Sequence, residues 1–453
     1  MLILIVQNPM EKINMSNHYN VAIVGGGITG TALLFMLSKY SKVGSIALFE
    51  KYDDFATLNS NAKGNSQTMH CGDIETNYTL EKARKVKKTA FMTDHYTDMY
   101  GYKDKYHLKC TKMALGVGDE EVAYIKKRHE DFKELFPYME LWNADQIKEI
   151  EPAVLDGRKE NVMAMGSHEH YPIVDWGEIS KTFVKNAKDI KEDADVFLNT
   201  QIIDITKENE KFRLKTKDEE YTADFVVVDA GAHSLYFAHK MGRGMELSCL
   251  PVGGSFYYSK KNIIDSKIYT VQNPKLPFAA IHGDPDITNG RVRFGPTAPI
   301  IPKLERYKPA KIREFLTTMK FDASVVSVGF GLLKEKDIRN YLIKNLLFEI
   351  PYFGRKLFTK EVQKILPSIE SKDLEFAEKV GGLRPQVIDK KNRQLLLGEA
   401  RIDDGDNIIF NMTPSPGATS CLGNAYKDAK LVTDRLGIEL DCDLIEKELI
   451  RDN

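Results

Sequence analysis

Apolar runs, glycine turns and helical periodicity follow one another closely in the first fifty residues. Val21-Ala22-Ile23-Val24 reads as a short buried strand, Gly25-Gly26-Gly27-Ile28-Thr29-Gly30 as a tight turn, and Thr31 to Ser38 as helix. Ile46-Ala47-Leu48-Phe49 then forms a second strand-like run that ends in Glu50. The pattern predicts a βαβ unit. Much later, Asp224 to Ala232 reads as a buried parallel strand ending in small residues, which brings the chain back to the same sheet. Thr413 to Ser420 precedes a helical pattern running to about Leu436, with Gly437 as its stop. Phe278 to Pro296 predicts a hairpin turned by Asn289-Gly290, with Phe278, Ala280 and His282 on one face of its first strand.

The glycines of the first unit each have a physical task. Gly25 lets the chain turn, Gly27 lets backbone approach a pyrophosphate, and Gly30 lets helix pack on strand, with Ile28 and Thr29 of the same turn also expected at the cofactor. Glu50, twenty residues beyond Gly30, is placed to accept hydrogen bonds from ribose hydroxyls, with Lys51 beside it. FAD and NAD both use such a unit, and three further segments favour FAD. Asn59, Ser60, Gly64, Asn65, Ser66 and Gln67 belong to a run of small and amide residues suited to a ribityl-phosphate. Ala230 and Gly231 end the returning strand. Gly417, Ala418 and Thr419 open a helix whose positive end suits the N1–C2=O edge of a flavin.

Length and charge narrow the picture. A chain of 453 residues predicts two domains, and 64 basic against 65 acidic residues give no field that would gather nucleic acid. A charged ligand must then be caught by local cations. Five scattered cysteines, Cys71, Cys110, Cys249, Cys421 and Cys442, fit reduced thiols in a cytoplasmic protein. No run of about 18 apolar residues predicts a membrane span. Residues 1–17 read as an extension, with Met15 as an alternative start, because MLILIV lacks the positive flank of a signal peptide. His168-Glu169-His170 lacks a third ligand at sensible spacing, so no metal is expected.

The chain resembles the malate:quinone oxidoreductases, within the wider group of FAD-dependent 2-hydroxy-acid and amino-acid oxidoreductases. The resemblance runs from Tyr19 over nearly the whole chain. It is carried by GGGITG at 25–30, SNAKGNSQTMHCGDIETNYT at 60–79, VDWG at 174–177, DAGAHS at 229–234, PFAAIHGDPDITNGRVRFGPTA at 277–298, GGLRPQ at 381–386 and SPGAT at 415–419. Leu34 departs from it, standing where many such enzymes place a small helix residue. The resemblance implies an α/β fold: a Rossmann-like FAD-binding domain of the GR2 type, interleaved with an α+β substrate domain on a mixed or antiparallel sheet. The expected division gives 18–80, 160–245 and 370–453 to the FAD domain and 81–159 and 246–369 to the substrate domain.

The implied reaction is oxidation of L-malate to oxaloacetate, with the hydride passing to FAD and the electrons to a membrane quinone. His282 is the expected acceptor of the hydroxyl proton. Arg384 and Arg293 are the expected anchors of the two carboxylates, and Gln67 and His70 complete the pocket. An L-2-hydroxyglutarate or other 2-hydroxy-acid or amino-acid dehydrogenase or oxidase would share this machinery. A flavin-binding redox sensor without turnover is the alternative of another class. Lys311 to Leu366 mixes aromatic, aliphatic and basic residues, which suits peripheral contact with the inner face of the cytoplasmic membrane.

Overall fold

A computed structural model describes residues 17–168, 170–273, 280–309, 311–396, 398–414 and 416–450. The expected extension up to residue 16, Phe278 of the hairpin, Glu169 and Ser415 lie outside them.

The apolar runs of the first unit meet in a sheet ordered Ala400–Ile402, Ile408–Met412, Glu220–Val228, His18–Val24, Ile46–Phe49, Ala194–Phe197. His18–Val24 is its central strand, parallel to Glu220–Val228 on one side and Ile46–Phe49 on the other. Alternate residues of a strand point to opposite faces. Accordingly Val21 and Ile23 enter one core with the helices Ile28–Tyr40, Trp176–Ile190 and Cys421–Leu436, while Ala22 and Val24 enter another with Phe212, Leu235 and Phe410. The helix Ile28–Tyr40 is buried nearly all round, and Leu34 is wholly enclosed. The helix stopped by Gly437, whose φ is +66°, stands where the sequence puts it, whereas the returning strand starts and ends earlier than expected, at Glu220–Val228, and Ala232 already opens a helix.

A second sheet runs Leu374–Phe376, Tyr257–Ser259, Val292–Gly295, His282–Pro285, Lys267–Thr270, Lys112–Val117, Val162–Ser167, Glu140–Trp142. Its pairing redraws the expected division. Val162–Ser167 and Leu374–Phe376, assigned from sequence to the FAD domain, hydrogen-bond within this substrate sheet. Between the two sheets, Leu247–Gly253 pairs with Leu383–Asp389 in a small ladder that sets Val252 opposite Arg384. The hairpin is also looser than a two-residue turn: its strands are His282–Pro285 and Val292–Gly295, and only Gly290 of the turn pair has positive φ.

Candidate active site

A cavity of about 350 Å³ runs along the carboxyl ends of the central strands, from Glu50 and Lys51 past Gly25 and Gly27 to Gly417–Thr419, His70 and Arg384. Ligands bind in such sheets at this edge. Backbone packing explains the glycines. Gly25 has φ +120°, and a Cβ there would stand 2.4 Å from the Asp229 carbonyl oxygen. On Gly30 a Cβ would stand 2.1 Å from the Gly25 carbonyl oxygen. The turn is therefore pressed against the returning strand, which leaves the start of helix Ile28–Tyr40 open to the cavity. Thr29 at that start meets the hydroxyl of Thr413 at 3.2 Å.

Glu50 is buried, and its carboxylate accepts the Gly26 N–H at 2.8 Å and the Tyr52 N–H at 2.9 Å. Burial raises its pKa above the usual carboxylate value, opposed by those N–H donors. Lys51 lines the same end but is ion-paired with Glu305, which also accepts from the Tyr52 hydroxyl at 2.6 Å. Asn59, Ser60, Gly64, Asn65 and Ser66 all line the cavity. Their loop is fixed at both ends: Ser60 Oγ accepts the Ile28 N–H at 3.0 Å, and Asn59 Oδ1 accepts the Leu383 N–H at 2.9 Å. Ala230, Gly231, Gly417, Ala418 and Thr419 close the other walls. Asp175 of the VDWG motif caps the helix Trp176–Ile190 and so holds Trp176 against the cavity.

Gln67 does not join them. It is fully buried, donates to Ala62 O at 3.1 Å and Asp286 Oδ1 at 3.0 Å, and accepts from the Ile287 N–H at 2.8 Å. It ties the amide-rich loop to the hairpin instead of touching a ligand.

The expected anchors separate in space. Arg384 lines the cavity, and no hydrogen bond or ion pair holds its guanidinium among the described residues. Arg293, expected as a second anchor, is wholly buried behind the wall. Its Nε donates to Asp284 Oδ2 at 3.2 Å, its Nη1 lies 3.6 Å from Asp286, and it stacks on Phe256. His282 is likewise enclosed. Its Nδ1 is bonded to Asp284, and its ring stacks flat on Tyr269 with centroids 4.5 Å apart. Burial lowers its pKa against the pull of Asp284. Burial alone would raise Asp284, but Lys267, His282 and Arg293 hold it well below the usual carboxylate range.

His70 and His233 are the imidazoles on the cavity wall, and His70 stands towards the Thr419 side. Glu75 holds its Nδ1 at 2.7 Å, and its backbone N–H donates to the Thr419 hydroxyl at 3.0 Å. Its ring meets the edge of Tyr269, whose other neighbour is His282. The sequence reading missed Glu75 and the cavity residues Asp229 and Phe256. Only the closeness of Glu75 to the amide-rich loop could have signalled its part. His168 and His170 do not converge: His168 stacks on Trp142 and His170 on Tyr138.

The family model for malate:quinone oxidoreductase matches residues 17–425. The chain belongs to this family. A protein named probable malate:quinone oxidoreductase in Campylobacter jejuni is 51% identical, covering 95% of this chain and 99% of the relative. The malate:quinone oxidoreductase of Helicobacter pylori is 44% identical, covering 96% and 98%. An L-2-hydroxyglutarate dehydrogenase of Nematostella vectensis is 26% identical over 93% and 91%. In fold the chain is similar to the FAD-bound L-α-glycerophosphate oxidase of Mycoplasma pneumoniae (TM-score 0.63, 18% identity, 92% and 95% covered). It is also similar to glycine oxidase of Geobacillus kaustophilus (0.62, 15%, 92% and 95%). The chain is thus a flavoprotein that oxidises malate with a quinone as acceptor, and FAD is its cofactor. The glycine cradle and the backbone-lined cavity fit that group.

Proposed function

We propose that L-malate is oxidised to oxaloacetate at the end of the cavity where Arg384 and His70 stand. Gly25, Gly27, Ile28, Thr29 and Gly30 would hold the pyrophosphate of FAD, Glu50 and Lys51 its adenosine ribose. Asn59, Ser60, Gly64, Asn65 and Ser66 would hold its ribityl chain, with Ala230, Gly231, Gly417, Ala418 and Thr419 around it. FAD supplies the acceptor for the hydride leaving C2. Arg384, a cation with no hydrogen bond or ion pair among the described residues, takes a substrate carboxylate through its two parallel donors. His70 accepts the C2 hydroxyl proton on Nε2, because Glu75 occupies its Nδ1 and steadies the ring.

The observation that carries this reading is the cavity wall shared by a carboxylate-held imidazole and a guanidinium that is unpaired among the described residues. The role first assigned to His282 passes to His70. His282, Asp284 and Arg293 become a buried support for Tyr269. A membrane quinone as acceptor, in turn, favours peripheral attachment at the inner face of the cytoplasmic membrane.

Anaerobic mixing of FAD-loaded protein with L-malate tests the assignment. His70→Gln should keep its flavin absorbance but bleach about 10²–10⁴-fold more slowly. Arg384→Ala should raise the malate concentration needed, and His282→Asn should retain most of the rate. Fast bleaching in His70→Gln with loss in His282→Asn would return the proton to His282.

A further inference from the structure

The helix Asp119–Phe132 packs on the second sheet, against Lys112–Val117 and Val162–Ser167, and its Arg128 reaches the segment that follows His70. Arg128 is buried, with its guanidinium 3.9 Å from the centre of the Phe132 ring. It donates to the carbonyl oxygens of Gly72 at 3.2 Å, Glu75 at 2.8 Å, Tyr78 at 3.0 Å and Thr76 at 3.4 Å. Among the described residues no carboxylate pairs with it; Glu75 and Asp73 face it only at longer range. A buried guanidinium costs free energy that an apolar side chain of similar volume would avoid. One committed to main-chain carbonyls therefore points to a loop whose exact course matters.

What that loop presents is the carboxylate of Glu75. Its Oε1 lies 2.7 Å from His70 Nδ1, and its Oε2 accepts the Gly72 N–H at 2.8 Å. Two of the residues gripped by Arg128 are thus the two that set the carboxylate: Glu75 carries it and Gly72 anchors it. Gly72 has no slack, since its φ is +89° and a Cβ there would stand 2.8 Å from the Ala83 Cα. The rest of the segment is fastened from the same side. Asp73 pairs with the buried Lys112 of the second sheet, and the Tyr124 hydroxyl donates to the Thr76 carbonyl. Ile74 and Tyr78 join Phe132 in one apolar cluster with Tyr269, the ring whose edge meets His70.

We infer that Arg128 is a positioning residue for malate oxidation. By fixing the carbonyls of Gly72 and Glu75 it holds the Glu75 carboxylate on Nδ1 of His70, and so keeps Nε2 turned to the substrate hydroxyl. The inference rests on the His70 reading.

Anaerobic reduction of the FAD-loaded full chain by L-malate tests it. Arg128→Met should keep its flavin and its far-ultraviolet circular dichroism, yet bleach about tenfold to a hundredfold more slowly at saturating malate. The malate concentration giving half that rate should be unchanged, because Arg384 is untouched. In a His70→Gln background the same substitution should slow bleaching by less than about twofold, since a residue acting through His70 then has nothing to position. Arg128→Lys keeps the charge without the fork of donors and should fall between wild type and Arg128→Met. Wild-type bleaching in Arg128→Met overturns the inference, and so does equal slowing in the wild-type and His70→Gln backgrounds. Loss of FAD from both Arg128→Met and Arg128→Lys overturns it too, since the guanidinium would then support the fold alone. Failure of the His70 reading appears separately, as wild-type bleaching in the single variant His70→Gln.

Discussion

Asp229 ends the returning strand with its backbone against Gly25 and its carboxyl at the cavity. Asn411 donates to its Oδ1 at 3.0 Å and to Asp428 at 2.7 Å, and Arg401 pairs with Asp428, so the nearest cation is spent on a neighbour. The other oxygen of Asp229 is buried without a partner. Burial, opposed by the Asn411 hydrogen bond, pushes the pKa up to about 6. A carboxyl that holds its proton more tightly when folded contributes stability that is complete below its unfolded value, near 4. That contribution is lost as pH rises through about 6. Asp229→Asn keeps the shape and removes the titration. The unfolding free energy of FAD-free protein, measured by urea titration, should fall between pH 4 and pH 7 in the wild type relative to the variant, by on the order of 2–3 kcal/mol. Parallel profiles would show that Asp229 ionises without cost. Nothing in DAGAHS revealed this: the segment reads as a strand end, and its carboxyl matters only because the distant Asn411 and Arg401 arrive around it.

At the scale of elements, the cavity depends on two loops that meet backbone to backbone. Gly381 N–H donates to Lys63 O at 2.6 Å, and a Cβ on Gly382 would stand 2.1 Å from the carbonyl oxygen of Gly64. That contact joins the amide-rich loop to the strand carrying Arg384. Gly382→Ala should push the two apart without entering either hydrophobic core. We expect the variant to fold, as judged by far-ultraviolet circular dichroism, while FAD retention on gel filtration falls about tenfold or more; undiminished retention would mean the loop adapts. The glycine turn was legible in sequence because contacts of backbone with backbone dictate residue type. His282 and Arg293 were expected at the cavity for a different reason: alternation along a strand says which face a side chain takes, but not whether another side chain, here Phe256, stands on the cavity wall in its place.

At the scale of the molecule, the cavity is closed by a strap: Leu304 and Glu305 line it from the segment before the helix Ile312–Met319, and Glu314 from that helix itself. Glu305 pairs with Lys51 and accepts from Tyr52, Glu314 bonds His233 at 3.2 Å, and Lys308 lies over the Tyr52 ring. The strand, glycine turn and helix of the first unit were legible from the order of residues; this latch was not, because its partners lie some eighty to 250 residues apart and carry no motif. If the strap retains the cofactor, Glu305→Ala should speed FAD release on dilution about tenfold to a hundredfold, the range expected for losing charged hydrogen bonds. Circular dichroism should remain unchanged. Glu314 adds a pH signature. Its hydrogen bond with His233, and then Lys311, draws its pKa down to about 2 against burial. A depressed carboxylate contributes above its unfolded value, near 4.3, and the contribution is lost as pH falls through about 2. Acidifying from pH 5 towards pH 3 should therefore begin to speed FAD release more in the wild type than in Glu314→Gln, which already lacks the charge. Equal acceleration in both proteins would place the acid-sensitive contact elsewhere in the cavity.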